Sequence, residues 1–464
     1  MSKIEPIYFA ASQNKDKLND TELDGVKRSW GQRLWSTGKI AAKAARLATR
    51  KLVGAEGEAD GRIGEALARE LDNMKGMAMK VGQILSYFDG IMPEDAHKAL
   101  RGLQQGMTPV SREQMLEVVE EAFGQPVEEL FDTFPTKPIA AASIGQVYRT
   151  SFAGNDVAVK VQYPGIWDTI RSDFSMLNRL SKIASLATAV DGPAIVRELQ
   201  ERFGEECDYL REAAYQRAFS EAFASEPNIH IPSVYPERTR ATVLTSEWCA
   251  GNDFYTFVEQ SSQEERNRVS HLLVRFAYQS LYRWGTLNAD PHPGNYLFGE
   301  DGHVFFLDFG CIRSFDASYL ERDRNLARVV VNNERNLFND ALNETGIVAK
   351  PKSFDYDNHW ELLRSQYQPY WEPNFHFTQE YIQKGMEYSR PSSPNLRKLA
   401  IPPEWIWLQR LQWGLHAVLV RLNANGSYRD SFHEALETPL EPMNVELPSA
   451  EPLAPAETMA DDIP

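Results

Sequence analysis

The chain contains two patterns of apolar residues, one with helical spacing and one of short strand-like runs. Together they predict an α+β protein. Apolar residues recur at helical spacing in long stretches, and these stretches are the predicted helices: 61–107, 111–124, 166–225 and much of 318–430. Shorter runs rich in β-branched and aromatic residues predict strands around 139–161, within 232–250, and in the sequences YLFG and HVFFLDFG. The Gly154-Asn155 turn between two of these runs is typical of a β-hairpin.

A basic amphipathic helix is predicted within residues 27–51, a stretch that contains no acidic residue. Trp30, Leu34 and Trp35 are among its helix-spaced apolar groups. Such a helix can lie on an anionic membrane surface, or it can pack on the main domain with its basic face in water. Periodicity does not distinguish lipid from protein, so both interpretations stay open here.

The sequence predicts no secretory signal, no mitochondrial presequence and no transmembrane span. The first twenty residues lack a continuous apolar core and include acids. The nearest candidate for a span, Trp405 to Leu422, is interrupted by Arg410, His416 and Arg421. We therefore expect a bacterial-type cytoplasmic protein, with peripheral membrane attachment as the alternative.

Size and composition narrow the class of function. The chain has 464 residues, which is more than one compact core usually holds, so two lobes with terminal additions are expected. The formal net charge of -16 argues against nucleic-acid binding. Cys207, Cys249 and Cys311 stand far apart and form no CxxC pair. This spacing argues against a disulfide framework or a zinc site and suits a reducing compartment.

A small-residue loop followed by a strand lysine indicates a nucleotide site. Alanine replaces the first two glycines of a GxGxxGxV pattern, and the predicted ATP-binding loop comprises Ala140, Ala141, Ala142, Ser143, Gly145 and Val147. The run Val157-Ala158-Val159-Lys160 then matches the strand motif of protein kinases, whose amine neutralises phosphate charge. Either motif alone is weak, because small residues can merely ease packing and a lysine can merely end a strand.

Three acidic and amide residues further along supply the ligands that a magnesium nucleotide needs. Asp290 and Asn295 are five residues apart, as in the catalytic loop of kinases, and Asp308-Phe309-Gly310 follows on a predicted strand. Because Mg²⁺ prefers oxygen ligands, Asp308 and Asn295 are the predicted metal ligands. Asp290 would orient or deprotonate an acceptor hydroxyl. The four motifs, in this order and spacing, predict a site for ATP and Mg²⁺.

Two glutamates complete the predicted site. Glu212 lies in the helical segment where a partner for the strand lysine is expected, although an exposed acidic helix face is the usual role of such a residue. Glu247 follows the strand VLTS at the predicted hinge between the lobes, where adenine would meet backbone groups. The predicted catalytic residues are thus Asp290, Lys160 and Glu212, and Glu247 joins the ATP-binding set.

The combination of these kinase motifs with a KxGQ sequence resembles the UbiB/AarF family of atypical kinases. The resemblance covers about residues 60–430. Its most specific parts are Lys80-Val81-Gly82-Gln83 and the sequence from Asp290 to Asn295, DPHPGN. The alanine-rich loop, the run Glu206-Cys207-Asp208 and the DFG sequence also match.

The resemblance implies a two-lobed protein-kinase-like fold with a helical N-terminal extension. It implies that the KxGQ helix, with Lys80, Gly82 and Gln83, covers the site where a protein kinase admits a peptide. Lys80 would then pair with Glu206 of the ExD run, which ends at Asp208, and Lys160 would pair with Glu212. The implied cofactors are ATP, with ADP as an alternative, and Mg²⁺.

The implied activity is that of an ATPase, or of a kinase for a small-molecule or lipid substrate, in support of ubiquinone-type or isoprenoid lipid synthesis. A nucleotide-gated scaffold with little phosphotransfer is the main alternative. A conventional protein kinase is less favoured, because Asn288-Ala289-Asp290 lacks the arginine of HRD and no APE sequence follows DFG.

The predicted organisation follows from these assignments. It consists of a flexible N-terminus, a basic helix, a helical KxGQ extension, a kinase-like N-lobe, a kinase-like C-lobe and a disordered acidic tail, with bounds 1–25, 26–57, 58–130, 131–250, 251–437 and 438–464.

Overall fold

A computed structural model describes residues 110–142, 144–168, 200, 204–388, 394–395, 398–400 and 402–448. All of them belong to one compact unit, residues 108–464. Several predicted features lie outside the described residues: the basic helix, most of the KxGQ extension with Lys80, Gly82 and Gln83, Ser143, and the end of the acidic tail.

The first half of the described chain builds a small lobe around an antiparallel sheet. Its elements, in chain order, are α1 Arg112–Phe123, α2 Val127–Leu130, β1 Ala140–Ala141, β2 Gly145–Phe152, β3 Asn155–Gln162, α3 Tyr209–Ala222, β4 Ile229–His230 and β5 Val243–Glu247. The sheet order is β1-β2-β3-β5. Apolar residues from α1, α2 and the sheet share one core, so these helices cover one sheet face.

The β2–β3 hairpin fixes the position of Lys160. Its turn contains Ala153 and Gly154, both with positive φ (51° and 77°), which suits the twist of a tight hairpin. The predicted hairpin is therefore confirmed, but its turn is Ala153-Gly154, one residue before the predicted Gly154-Asn155, because Asn155 already pairs with Phe152 as the first residue of β3. Alternate β3 residues are buried, and the register places Lys160 opposite Val147.

The second half builds a larger, mainly helical lobe. Its elements are β6 Asn252–Asp253, α4 Phe254–Gln260, α5 Gln263–Tyr278, a π-helix Gln279–Arg283, β7 Thr286–Asn288, β8 Tyr296–Phe298, β9 Val304–Phe306, β10 Ile312–Ser314, α6 Ala317–Val331, α7 Phe338–Glu344, α8 Tyr356–Gln366, α9 Gln368–Trp371, β11 Phe375–His376, α10 Gln379–Tyr388, α11 Pro403–Arg421, β12 Asn425–Gly426 and α12 Arg429–Glu437.

Three small sheets belong to the larger lobe. A four-stranded sheet has the order β4-β9-β8-β6, with β4 parallel to β9, and two ribbons pair β7 with β10 and β11 with β12. β4 precedes β5 in the chain but joins the sheet of the larger lobe. The two lobes are therefore connected along β4 as well as through the segment that follows β5.

Two strand predictions differ from the structure. The region 232–250 was expected to be strand, turn and strand, but its first part forms only an isolated bridge from Val234 and a 3₁₀ turn over Pro236–Arg238. The strand predicted for HVFFLDFG ends at Phe306, so the DFG residues lie in a loop. Proline explains the first difference, because it removes a donor that a strand ladder needs.

The beginning of the acidic tail was predicted to be disordered, and for residues 438–448 that prediction is wrong. This stretch follows the surface of the larger lobe, where the Glu441 amide donates to the Arg283 carbonyl at 2.7 Å. Leu440 and Met443 pack against the larger-lobe core. Apolar residues spaced among the prolines and acids therefore anchor the start of the tail.

Among the described residues, no helix combines the length and the apolar character needed to cross a bilayer.

A buried hydrogen-bonded chain crosses the larger lobe. The Tyr278 hydroxyl donates to that of Tyr370 at 2.8 Å, and Tyr370 in turn lies 2.8 Å from Nε2 of His416. The hydroxyl of Tyr381 lies 3.0 Å from Nδ1 of the same ring. Burial lowers the pKa of His416 to about 3, so the imidazole is neutral inside this network.

We expect this histidine to make the protein acid-sensitive. The ring stays neutral in the folded chain until about pH 3, whereas in the unfolded chain it takes up a proton near pH 6.5. Its contribution to stability is present above pH 6.5 and is lost as the pH falls towards 3. The free energy of unfolding should drop by about 2 kcal/mol from this group between pH 7 and pH 5. Urea unfolding at the two pH values measures the drop.

The matched variant is His416→Gln, which keeps polar atoms in the network but does not titrate. Its unfolding free energy should depend less steeply on pH than that of the wild type. His359, whose pKa burial lowers to about 4, contributes in the same direction and leaves part of the slope in the variant. An unchanged slope in the variant would show that His416 is not the group responsible.

Candidate active site

The strand lysine and the helix glutamate form a buried ion pair. Nζ of Lys160, on β3, donates to both carboxylate oxygens of Glu212, on α3, at 2.8 and 3.0 Å. The Glu212 side chain is 1% exposed and that of Lys160 is 18% exposed. The pairing expected from the sequence is therefore present, and Glu212 is not part of an exposed acidic face.

Asp208 determines where α3 begins and so where Glu212 lies. Its Oδ1 accepts hydrogen bonds from the amides of Leu210 and Arg211, at 3.1 and 3.0 Å, as an N-cap does. Glu212 follows in the first turn of the helix. The ExD aspartate, expected to be a regulatory residue, thus caps the helix that carries Glu212.

Asp308 is the second acid near Lys160. Its Oδ2 is 3.4 Å from Nζ of Lys160, and its Oδ1 accepts the Gly310 amide at 2.9 Å. Burial alone would raise the pKa of Asp308, but the lysine and the Gly310 amide more than offset it, so the pKa is lowered. Burial likewise would lower the pKa of Lys160, which Asp308 and Glu212 raise well above its usual value. Ammonium and carboxylate are therefore both charged near neutral pH.

The loop after β7 presents Asp290 and Asn295 to the same cleft. The Asn295 amide nitrogen donates to Oδ2 and to the carbonyl of Asp290, at 3.0 and 2.9 Å. The Leu307 amide, just before Asp308, donates to the Asn295 carbonyl at 3.0 Å. Because the Asn295 amide nitrogen is used in this way, its amide oxygen is the atom left to ligate a cation.

Asn288 fastens the two acidic loops together. Its side-chain nitrogen donates to the Asp308 carbonyl at 2.8 Å, and its side-chain oxygen accepts the Asp290 amide at 3.2 Å. In the sequence, Asn288 was noticed only because Asn288-Ala289-Asp290 differs from the HRD motif of protein kinases. An amide offers a donor and an acceptor at once, which explains why it can bridge both loops.

Arg410 is a charged residue of the site that motif reasoning missed. From α11 it donates through Nη2 to Oδ1 of Asp290 at 2.8 Å, across 120 positions of sequence. A Cβ added to Gly414 would lie 2.6 Å from Cγ of Pro291, so glycine at this position lets the helix approach the loop closely. In the sequence, Arg410 appeared only as one of three residues, with His416 and Arg421, that interrupt an apolar stretch and argue against a membrane span.

The alanine-rich loop lies beside Lys160, at the edge of the small-lobe sheet. Ala140 and Ala141 pair with Val147 and Gln146, and the Ala142 amide donates to the Gly145 carbonyl at 2.8 Å. A Cβ at Gly145 would meet the Val161 carbonyl oxygen at 2.0 Å. Glycine there is required for the close approach of β2 to β3, whichever ligand the loop contacts.

Two further predicted residues lie at the margin of the cleft. The Glu247 side chain points to His230 on β4, with Nε2 3.1 Å from both carboxylate oxygens, so only its backbone is placed for a hinge contact. Glu206 is half-buried, and the Lys80 predicted to pair with it lies outside the described residues. Its neighbour Glu205 pairs with Arg211 and Arg313, at 3.3 and 2.8 Å, which the sequence did not predict.

A cavity in the larger lobe is lined by several of these groups. Asn288, Asp290, Asn295 and Asp308 line its polar side, and Leu411 and Leu415 of α11 line its apolar side. The DFG phenylalanine, Phe309, is buried, with its ring centroid 5.1 Å from that of Phe219 on α3. This contact ties the acidic loop to the helix that carries Glu212.

The chain has two lobes and a Lys160–Glu212 ion pair close to the DFG aspartate, Asp308. The hydrogen-bonded Asp290 and Asn295 line the same cleft. This arrangement defines the class of kinase-like proteins. The family model for the ABC1 atypical kinase-like domain matches residues 102–340, and the chain belongs to this family, which confirms the UbiB/AarF prediction. The predicted α+β kinase-like fold is confirmed with it. Arg410 lies beyond the matched residues.

Curated relatives support the same family. The chain is 30% identical to the atypical kinase COQ8B, mitochondrial, of Rattus norvegicus over 58% of its own length and 52% of the relative's. It is 29% identical to the atypical kinase COQ8, mitochondrial, of Saccharomyces cerevisiae, over 56% and 53%. The chain thus spans about half the length of the curated relatives it matches.

A solved structure is also similar over most of the chain. The complex of Rv3197 with erythromycin, from Mycobacterium tuberculosis, matches with a TM-score of 0.63 and 28% identity. The match covers 82% of this chain and 98% of that one.

Proposed function

We propose that this protein binds ATP with Mg²⁺ between its lobes and acts as an atypical kinase or ATPase, with ADP as the alternative nucleotide. The observation that carries the proposal is the convergence of the Lys160 ammonium, the Asp308 carboxylate and the Asn295 amide on one cleft. An ammonium suits phosphate oxygens, and carboxylate and amide oxygens are the donors that Mg²⁺ prefers.

Each residue has a role that its contacts support. Lys160 neutralises phosphate charge while Glu212 holds its amine in place. Asp308 and Asn295 would hold Mg²⁺, which would supply positive charge to offset the charge of the phosphates. Asp290 orients an acceptor hydroxyl or a water molecule and accepts its proton. The backbone beside Glu247 faces the adenine, and the alanine-rich loop covers the phosphates.

The acceptor is proposed to be a lipid or another small molecule in quinone or isoprenoid lipid metabolism. This part rests on the family to which the chain belongs. The Mycobacterium tuberculosis neighbour is in complex with the small molecule erythromycin, which is consistent with a small-molecule ligand here. An anionic membrane surface is the proposed partner of residues 27–51.

One observation favours a second candidate, a nucleotide-gated scaffold with little phosphotransfer. Both carboxylate oxygens of Asp290 are engaged, one by Arg410 and one by Asn295. An acceptor hydroxyl must therefore compete with Arg410 and Asn295 for the lone pairs of these two oxygens. In this alternative the protein binds ATP and turns it over very slowly.

The test follows the γ-phosphate of radiolabelled ATP with purified protein, with and without Mg²⁺, anionic liposomes and a quinone-like phenol. We expect Mg²⁺-dependent turnover that liposomes or the phenol stimulate, with label in phosphate for an ATPase or in the organic phase for a kinase. Magnesium-dependent nucleotide binding without turnover would favour the scaffold. Absence of nucleotide binding would refute both.

A further inference from the structure

Behind the hinge, three side chains of different chemistry come together. Nε2 of His230 lies 3.1 Å from both carboxylate oxygens of Glu247, and the thiol of Cys249 is two residues further along. The ligand atoms of the three residues all lie within 4.8 Å of one another. Among the described residues, this group has the donor types of a transition-metal site.

Cysteine spacing argued against a zinc site in the sequence, but this group contains a single cysteine, and its histidine comes from a separate segment of the chain. His230 belongs to β4, which pairs with β9 of the larger-lobe sheet, whereas Glu247 ends β5 of the small-lobe sheet. The two strands are brought side by side by backbone contacts, with the Glu247 amide donating to the Ser233 carbonyl at 2.8 Å. The Ser233 amide donates back to Oε2 of Glu247 at 3.1 Å.

The distances fit a tetrahedral ion after a small adjustment. Bond lengths near 2.1 Å to nitrogen or oxygen and 2.3 Å to sulfur place two ligand atoms about 3.4–3.6 Å apart. The His230–Glu247 distance of 3.1 Å is already close to this value. Ligand atoms within 4.8 Å can reach it by a shift of about 1 Å.

The exposure of the group leaves room for the rest of a coordination shell. The His230 and Glu247 side chains are about one-third exposed, whereas Cys249 is buried. Water can therefore supply a fourth ligand on the open side. A second histidine, His303, lies nearby, with its ring centroid 6.2 Å from that of His230. Its Nδ1 already contacts the Asp301 carboxylate at 2.8 Å, so we do not count it among the ligands.

We propose that His230, Glu247 and Cys249 bind one transition-metal ion of the Zn²⁺ type, which fastens β4 to the end of β5 behind the hinge. Imidazole, carboxylate and thiolate are the ligands that zinc takes in proteins, and the sulfur disfavours Mg²⁺ and Ca²⁺. Binding forms the metal–sulfur bond and releases the thiol proton of Cys249 to solvent. The site adjoins the hinge, where the backbone beside Glu247 is proposed to face the adenine. It uses the Glu247 side chain, which points to His230, and does not depend on the function proposed above.

The test uses Co²⁺ as a spectroscopic substitute for zinc in the full chain, stripped of metal and kept free of nucleotide and Mg²⁺. We expect one equivalent of cobalt to give a thiolate-to-metal charge-transfer band that Zn²⁺ then abolishes. Cys249→Ser should lose the band, and His230→Ala should weaken cobalt binding at least about 10-fold. Cys311→Ala is the matched cysteine control and should keep the band. Asp308→Asn should keep it too, because that residue belongs to the other site.

Thermal unfolding gives a second readout, because an ion that binds only the folded chain raises the unfolding temperature. Zn²⁺ should raise it for the wild type and for Cys311→Ala but not for Cys249→Ser. A band retained in Cys249→Ser, a band lost equally in Cys311→Ala, or no band in the wild type would overturn the proposal.

Discussion

Replacement of Asp308 by asparagine is expected to reduce Mg²⁺-dependent ATP turnover by at least about 100-fold, because a cation ligand that supplies several kcal/mol of charge stabilisation is lost. The substitution preserves shape and removes one charge. Oδ1 can still accept the Gly310 amide, which in the structure donates at 2.9 Å, so the loop keeps its conformation. Initial rates of phosphate release at saturating ATP measure the effect.

A matched control separates this loss from a general effect of exchanging an aspartate. Asp316 caps α6, with its Oδ1 accepting the amides of Ser318 and Tyr319. Asparagine is an equally good N-cap, so Asp316→Asn should leave turnover and stability almost unchanged. Turnover above about a tenth of the wild-type rate in Asp308→Asn would mean that the cation is held by other groups.

Nucleotide affinity adds a second comparison for the same variant. With less negative charge in the cleft, Asp308→Asn should bind ATP without Mg²⁺ at least as well as the wild type does. Its gain in affinity on adding Mg²⁺ should be much smaller. This pattern distinguishes a lost metal ligand from a collapsed cleft, in which binding would fail under both conditions.

The parts of the site that could be predicted from sequence are those in which spacing along the chain reflects distance in space. Asp290 and Asn295 lie in one short loop, and their contact follows from their separation of five residues. The hairpin carries Lys160 at a register that a tight turn determines. Such local geometry leaves a pattern in the sequence, and that pattern was sufficient to predict the fold and the family.

Contacts between distant segments left no such pattern. Arg410 reaches Asp290 across 120 positions, and Glu205 meets Arg313 from the other side of the cleft. The face of α11 that meets the loop carrying Asp290 depends on how this helix packs. That packing in turn depends on Gly414, which allows a close approach. The position of β4 could not be predicted either, because a strand of two residues is too short for its sequence to indicate which sheet it joins.

The sequence also cannot tell whether an ionisable residue is paired. Glu212 was weighed against an exposed acidic face, and Asp208 was assigned to regulation. Burial decided the first, because a glutamate that is 1% exposed must have a partner, and Lys160 provides it. For Asp208 the structure adds a helix cap that the sequence did not indicate, and its regulatory role stays a prediction.

Removing Glu212 alone from the buried Lys160–Glu212 pair should lower the free energy of unfolding much more than replacing both residues. Glu212→Ala leaves the Lys160 ammonium, 18% exposed, with Asp308 at 3.4 Å as its remaining anion. Removing one partner of a buried pair typically costs about 3–5 kcal/mol, and we expect a loss of this size in urea unfolding without nucleotide.

The double variant Lys160→Met with Glu212→Leu replaces both charges by apolar side chains of similar size. Such exchanges are often neutral or stabilising, so its unfolding free energy should return close to that of the wild type. Asp308 then loses its ammonium partner, but the Gly310 amide and the water that reaches its 36% exposed side chain offset part of that loss. ATP binding should nevertheless be lost, because no ammonium remains for the phosphates.

Recovered stability without recovered binding would show that the pair is kept for the nucleotide and not for the fold. A double variant as unstable as Glu212→Ala would instead assign the pair a structural role.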